Sequence, residues 1–322
     1  MSITTTSQLG PVILQSLAPG MLYVPTPTMN YRLVADSQSM PANGGTTKLF
    51  MRPRALQPAT VQLGNSGIDP AAQVPQRDVI SCQMAFFGTG CILNEQVILQ
   101  DQEGVLGWVT DRLAVSMKQG EDLILRDFLV SAASPINCGG GSNGDNPTNI
   151  GITDFSLVAT TLDSNNAFKF MSGIEGDLKF GTGPVRSSYF MLSSTELQSD
   201  FDALAGDGFQ NQWNYGSNTS ALYSEYGNVY NIRILTSSEA PVARGASAQS
   251  GDVYYNTVLG KQALTHVSQD GYSMKLIYRG PEFSGMLAQN CTIAVKFAQA
   301  QALTQDTAIR NLLCTRLSAL GF

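Results

Sequence analysis

Gly140-Gly141-Ser142-Asn143-Gly144 matches the G-x-S-x-G pattern of a serine nucleophile elbow. Such an elbow lifts a hydroxyl out of a turn between a buried strand and a helix, with a histidine base in reach. Here the serine sits in a glycine-rich run, Gly139 to Asn149, and the chain's single histidine is His266. The match reads as coincidence, and His266 reads as a strand-end or core residue. Asp200 with Asp202, and Glu121 with Asp122, read as solvated surface rather than as acid–base pairs. Cys82, Cys91, Cys138, Cys291 and Cys314 are odd in number and contain no C-x-x-C pair. That argues against a disulfide scaffold or a zinc site and for isolated buried thiols in a reducing cytoplasm. One histidine and no paired cysteines leave a transition metal few ligands. No P-loop, dinucleotide fingerprint or H-E-x-x-H is present. Asn218-Thr219-Ser220 and Asn290-Cys291-Thr292 match glycosylation acceptors, which matter only with secretion. Nothing calls for an active site, a metal or a cofactor.

The stretch that must position everything else is Asp101 to Ala133. Val105, Val109, Leu113, Met117, Ile124 and Phe128 recur close to whole helical turns, widened by Leu106, Ala114, Leu125 and Leu129. Asp101 is the expected N-cap and Glu103 a first-turn acid. At about 1.5 Å per residue this helix would span roughly 50 Å, against a usual helix of about 11 to 12 residues. Gly104, Gly107 and Gly120 could break it in two. A long core helix of an α+β enzyme would read the same way.

Length and charge set the bounds. The 322 residues suffice for one large domain or two. The net charge of −6, from 19 basic and 25 acidic residues, gives no footprint for sequence-specific nucleic-acid binding. Only 14% of residues are charged, where about 25% is usual. Such a surface suits contact with other protein chains, and equally the neutral polar surface of many β-rich proteins. No apolar run approaches the ~18 residues needed to cross a membrane. Residues 1–31 carry no charged side chain, which disfavours both a secretory signal and a basic nucleic-acid arm.

Along the chain, 1–41 reads as an extended arm packing against something else, with apolar patches Val12-Ile13-Leu14 and Met21 to Val24 broken by prolines. Thr46 to Arg52 alternates as a strand, with Thr47, Leu49 and Met51 on one face and Lys48, Phe50 and Arg52 on the other. Arg54 to Gln76 is a Pro/Gly-rich excursion, long enough to be functional or interface-forming. Val79 to Leu99 resumes as strand, with Gly88 and Gly90 as bulge or bend points. Past the glycine connector, strands are expected at Ser187–Leu192, Tyr226–Thr236, Asp252–Leu259 and Thr292–Phe297. Two short strands are expected around Asp270-Gly271, and a short helix at Ser194–Ala205. Ile309, Leu312, Leu313 and Leu317 are spaced for a helix, with a strand as the alternative.

The order of these parts resembles the tailed-bacteriophage major capsid protein fold, of Hong Kong-phage type. Within it, the chain is similar to the coat-protein branch of podoviruses with a large virion RNA polymerase. The likeness rests on Met84 to Gly90 followed by Gln96 to Gln100, on Leu113 to Leu129, on Tyr226 to Tyr230 through Ser237 to Pro241, and on Pro281 to Phe297.

The resemblance implies an α+β fold with an N-terminal arm (1–41), an extended β E-loop (42–80), a P-domain (81–136 and 290–322, with a spine helix at about 101–133) and a mixed A-domain (137–289). It implies a coat subunit that assembles with its own copies into hexamers and pentamers around double-stranded DNA, without sequence-specific binding and without a membrane. Scaffolding, portal and decoration proteins would be further partners. The location would be the virion, after synthesis in the host cytoplasm. Lys48, Phe50, Arg52 and Arg54 of the E-loop become inter-subunit contact candidates, the cations meeting carboxylates on a neighbour. The other readings are a β-rich tail, fibre or lectin-like binding protein, which lacks a spine helix, and a hydrolase built on Ser142.

Overall fold

The computed structural model describes residues 25–60, 72–100, 104–139, 146–170, 187–214, 222, 224–247, 251–280 and 287–316. The expected cap at Asp101, the Ser142 motif, Asn218, Leu317 and both N-terminal apolar patches lie outside them. In chain order the elements are α1 (Tyr31–Val34), β1 (Asp36–Met40), β2 (Thr47–Pro53), β3 (Arg77–Gln83), β4 (Ala85–Asn94), α2 (Glu95–Gln100) and α3 (Val105–Ala132). Then come β5 (Pro135–Asn137), α4 (Ile152–Ser164), β6 (Tyr189–Ser194), α5 (Gln198–Ala203), β7 (Gln210–Asn211), β8 (Glu225–Val229), β9 (Ile232–Ser237) and β10 (Val242–Ala243). The chain closes with β11 (Val253–Leu259), β12 (Leu264–Gln269), β13 (Lys275–Arg279), β14 (Asn290–Leu303) and β15 (Ile309–Thr315).

Two sheets and a ribbon carry these strands. In the first sheet β14 pairs antiparallel with β4, β12 and β13, and β1 adds in parallel to β12. The second runs β5-β15-β11-β6-β9-β8-β7, with β10 on β11. β2 and β3 form a separate antiparallel ribbon. Sheet membership crosses the expected domain boundaries. β12 and β13 belong with β14, while β15 leaves it for the other sheet.

The long helix is one piece of 28 residues, somewhat shorter than Asp101 to Ala133. It starts after Gly104, whose φ of 77° a side chain would resist, and it runs unbroken through Gly107 and Gly120. Packing supplies what those two glycines withhold. Val105, Val109, Leu113 and Met117 lie against Ile293, Val295 and Phe297 of β14. Two turns on, Leu125 and Leu129 are sealed among Tyr31, Val34, Leu192, Leu235, Leu259, Leu264 and Ile309. Full burial of one such aliphatic side chain stabilises by about 1.5–3 kcal/mol, well above the ~1 kcal/mol cost of a helical glycine. The apolar stripe therefore decides the outcome.

Several expectations are corrected. Val79 to Leu99 is not one strand but the end of β3, then β4, then α2. Gly88 and Gly90 are not bulges, since the ladder passes through them in register with Lys296 and Ala294. A Cβ at Gly90 would stand 2.9 Å from the Ala294 Cβ, so glycine there permits close strand approach. Tyr226 to Thr236 is the hairpin β8–β9, turning at Tyr230 with φ 50°. β12 and β13 each pair with β14 rather than with one another. Residues 309–315 form a strand, not a helix, because both sides of β15 are claimed by partners, β11 and β5.

The chain from Asn30 to Met40 is no free arm. Tyr31, Val34 and Ala35 join the core around Leu125. The Asn30 side chain donates to the Thr236 carbonyl at 3.1 Å.

Gly120→Ala should stabilise the protein by about 0.5–1 kcal/mol, because its Cβ meets nothing closer than Phe297 Cζ at 3.9 Å. Gly90→Val should destabilise by about 1–3 kcal/mol through overpacking against β14. Urea unfolding of the two variants checks both signs.

Candidate functional site

Among the described residues, those singled out for chemistry are engaged with the rest of the fold. His266 is 1% exposed, on the helix-facing side of β12. Its Nε2 lies 3.0 Å from Gln299 Oε1 and 3.7 Å from Glu121 Oε1. Burial, aided by the Arg32 charge, lowers its pKa from 6.5 to about 4, so it is neutral at pH 7. Burial likewise pushes the Glu121 carboxyl upward. Together they form a polar layer between the two apolar stretches of α3.

Asp122, read from sequence as solvated, is 2% exposed. Its carboxylate accepts the Arg32 backbone N–H at 2.8 Å and is also bonded by the N–H groups of Tyr31 and Asn30. It pins α1 to α3, and burial raises its pKa to about 6. Asp202 accepts from Tyr226 OH at 2.6 Å, while Asp200 is buried on another face of the short helix α5. They do not form an acid–base pair. Asn290 opens β14 opposite Asn94.

An open groove of about 590 Å³ lies between α3 and the second sheet, lined in part by Arg126, Asp127, Ser194, Glu196, Arg244 and Tyr255. Its cations are already engaged. Arg126 bonds Asp127 at 2.7 Å and the Glu239 carbonyl at 2.9 Å. Arg244 bonds Glu196 at 2.7 Å and also Asp252. Among the described residues no group of His, Cys, Asp and Glu is placed to hold a metal ion. No helix there is long and apolar enough to cross a membrane.

The surface of the β2–β3 ribbon is more telling. Its inward face carries Lys48, Phe50 and Arg52 with Ile80 and Cys82. Phe50 and Ile80 rest on a cluster containing Met40, Val267 and Ala298. The Lys48 ammonium sits 5.5 Å from the Phe50 ring centre and donates to the Ser39 carbonyl at 2.7 Å. Arg52 reaches Asp306 at 3.2 Å and Asp78 at 3.6 Å; Arg54 bonds Asp78 at 2.7 Å. Arg52 and Arg54 thus have carboxylate partners within the chain while remaining partly exposed. The outward face carries an apolar strip among polar groups: Leu49, Met51 and Val79 are 55%, 57% and 55% exposed, beside Thr47, Ser81, Gln83 and Arg77. Period-two alternation separates the two faces but does not say which one the body covers.

The thiols also differ from expectation. Four of the five are buried, and two of them, Cys138 and Cys314, lie side by side in one core cluster. They come from distant parts of the sequence, so spacing could not reveal them.

The buried histidine generates a pH signature. Its folded-state pKa is depressed, so unfolded chains bind its proton first as pH falls from 6.5 toward 4. The stability present above pH 6.5 should drop by about 3 kcal/mol across that window. Asp122, with its raised pKa, acts in the opposite sense over roughly pH 4–6. His266→Gln removes the histidine contribution, while Glu121 beside it, with a pKa raised by burial, still acts in the opposite sense. Subtracting its urea-derived stability from that of the parent at each pH should leave a slope confined to pH 4–6.5.

No protein-family model matches this sequence, and no curated protein matches it. Solved structures do. The capsid of Ralstonia phage GP4 aligns with a TM-score of 0.68 at 12% identity, covering 100% of both chains. The capsid structure of cyanophage P-SCSP1u gives 0.67 at 11% identity, covering 95% of this chain and 94% of that one. The capsid of the native GTA particle gives 0.67 at 10% identity, over 97% and 99%. The chain shares the fold of these capsid proteins.

Proposed function

We propose that this chain is a major capsid protein. Copies of it would assemble into hexamers and pentamers and close an icosahedral head around viral double-stranded DNA. The observation that carries this is the end-to-end match to capsid subunits, with neither chain contributing a large unmatched part. The surface supports it independently. Leu49, Met51 and Val79 form an outward apolar strip on a two-stranded ribbon, in a chain of which only 14% is charged. Exposed contiguous apolar surface of this kind marks a protein contact.

In this reading 1–41 is the arm and 42–80 the E-loop, laid across a neighbour through its outward strip while Lys48, Phe50, Arg52 and Arg54 brace its root. Residues 81–136 and 290–322 supply the P-domain around α3 and β14, and 137–289 most of the A-domain. The chain's role is structural rather than catalytic. It would be made in the host cytoplasm and end in the virion, with scaffolding, portal and decoration proteins as further partners. The narrower placement, among podoviruses with a large virion RNA polymerase, rests on the four sequence segments alone. Many weak contacts repeated around a closed shell would give strength that no single interface has.

Expressed protein should form rings or shells, visible by negative-stain microscopy after size-exclusion chromatography. A clean monomer without capsomers under all assembly conditions would count decisively against the reading. Met51→Asp should leave the subunit's own stability within about 0.5 kcal/mol, since the site is exposed, yet abolish or sharply reduce the rings.

A further inference from the structure

β5 pairs with β15 in parallel, placing Asn137 beside Leu313. The next step of that register sets Cys138 beside Cys314, and the Cys138 N–H indeed bonds the Leu313 carbonyl at 2.8 Å. Adjacent strands lie about 4.8 Å apart, inside the window of about 4.4–6.8 Å between Cα atoms that a disulfide spans. The two side chains are 2% and 0% exposed.

Their surroundings are not plain hydrocarbon. Both Cys314 and the Asp154 carboxylate lie near the Cys138 thiol. Asp154 is itself 4% exposed and fixed, accepting the Gly139 N–H at 3.0 Å and the Gly151 N–H at 2.8 Å. On the other side Asn256 Nδ2 donates to the Cys314 sulfur at 3.1 Å. Asn256 is oriented by Ser193 Oγ, which donates to its Oδ1 at 2.7 Å, and by the Leu312 carbonyl at 3.2 Å. A buried thiol often acts simply as a small apolar filler. This pair instead has a proton acceptor at one sulfur and a hydrogen-bond donor at the other.

We propose that Cys138 and Cys314 form an oxidisable site whose reactant is a small peroxide and whose product is a disulfide within one subunit. Asp154 takes the Cys138 proton, and the thiolate attacks one oxygen of hydrogen peroxide. The O–O bond breaks, the departing hydroxide takes that proton to become water, and Cys138 becomes a sulfenic acid. The Cys314 sulfur then attacks the Cys138 sulfur. The S–O bond breaks, and the hydroxide leaves as water with the Cys314 proton. Two thiols and one hydrogen peroxide give one disulfide and two waters, the sulfurs losing the electron pair that the peroxide gains.

Burial selects the oxidant, since hydrogen peroxide is little larger than water while glutathione disulfide is a bulky peptide. The neighbouring Cys314 thiol, burial and the Asp154 carboxylate all raise the Cys138 pKa, so the reaction should be slow at neutral pH and quicken with alkali. The new bond would tie the strand following α3 to the end of β15. It would close most of the second sheet inside one covalent loop. None of this depends on the assembly reading.

The test uses the full-length protein, folded, treated with hydrogen peroxide, then denatured and alkylated with iodoacetamide before digestion and mass spectrometry. The expected result is a linked peptide pair containing Cys138 and Cys314. Its yield should rise with pH, and it should accompany a Tm several degrees higher that dithiothreitol reverses. In Cys314→Ser the sulfenic acid has no partner, and dimedone should label Cys138. Full alkylation of both residues in the parent, with only the exposed Cys91 oxidised, would overturn the proposal. So would a disulfide that forms equally well with glutathione disulfide, which would mean that the burial does not select the oxidant.

Discussion

The contact between the apolar stripe of α3 and the two sheets is the constraint on which the rest of this structure depends. One helix supplies Val105 through Met117 to the β14 side and Leu125 with Leu129 to the other core. The second sheet is also covered by α4, whose Phe155, Val158 and Leu162 pack on it, but among the described residues only α3 reaches both cores. Between these stretches lies a polar layer of Glu121, His266 and Gln299, in which His266 Nε2 meets Gln299 Oε1 and Glu121 while His266 Nδ1 and Gln299 Nε2 are buried without a partner. The layer gives little to stability, but it fixes the helix along its axis. A slide by one turn would bring Met117 to the polar groups and Glu121 into the core around Leu125.

That helix was legible because its signal is local and long. A 3.6-residue stripe repeated through 28 residues outweighs two glycines. The order of parts, and hence the fold, was legible for the same reason. What sequence could not show depends on contacts between distant segments. Asp122 reads as an exposed helix acid until Asn30 to Arg32 return to it as backbone donors. Gly88 and Gly90 read as bends because the residues they face, Lys296 and Ala294, are some two hundred positions away. Residues 309–317 leave helix and strand open because Ile309, Leu312 and Leu313 fit either pattern, and the choice is made by the distant partners β11 and β5.

The ribbon illustrates a subtler limit. Alternation correctly separates Leu49 and Met51 from Lys48, Phe50 and Arg52, but the pattern is symmetric about the strand axis. The choice of inward face is made by the body, where Asp306, the Ser39 carbonyl and the cluster around Met40 offer partners to cations and an aromatic ring. Turning the cations toward the body, where they stay partly exposed, and leaving Leu49, Met51 and Val79 outside reverses the usual arrangement of a solvated strand. Such a reversal is reasonable only where the outer groups are themselves to be covered.

Arg52 also has a mechanical meaning. It grips the Thr304 carbonyl and Asp306, the residues at which the chain leaves β14 for β15 and so passes from one sheet to the other. The ribbon is thereby hinged to the joint between the two halves of the body. Residues far apart in sequence, 52 on the ribbon and 304 to 306 at the crossing, thus share one anchoring point.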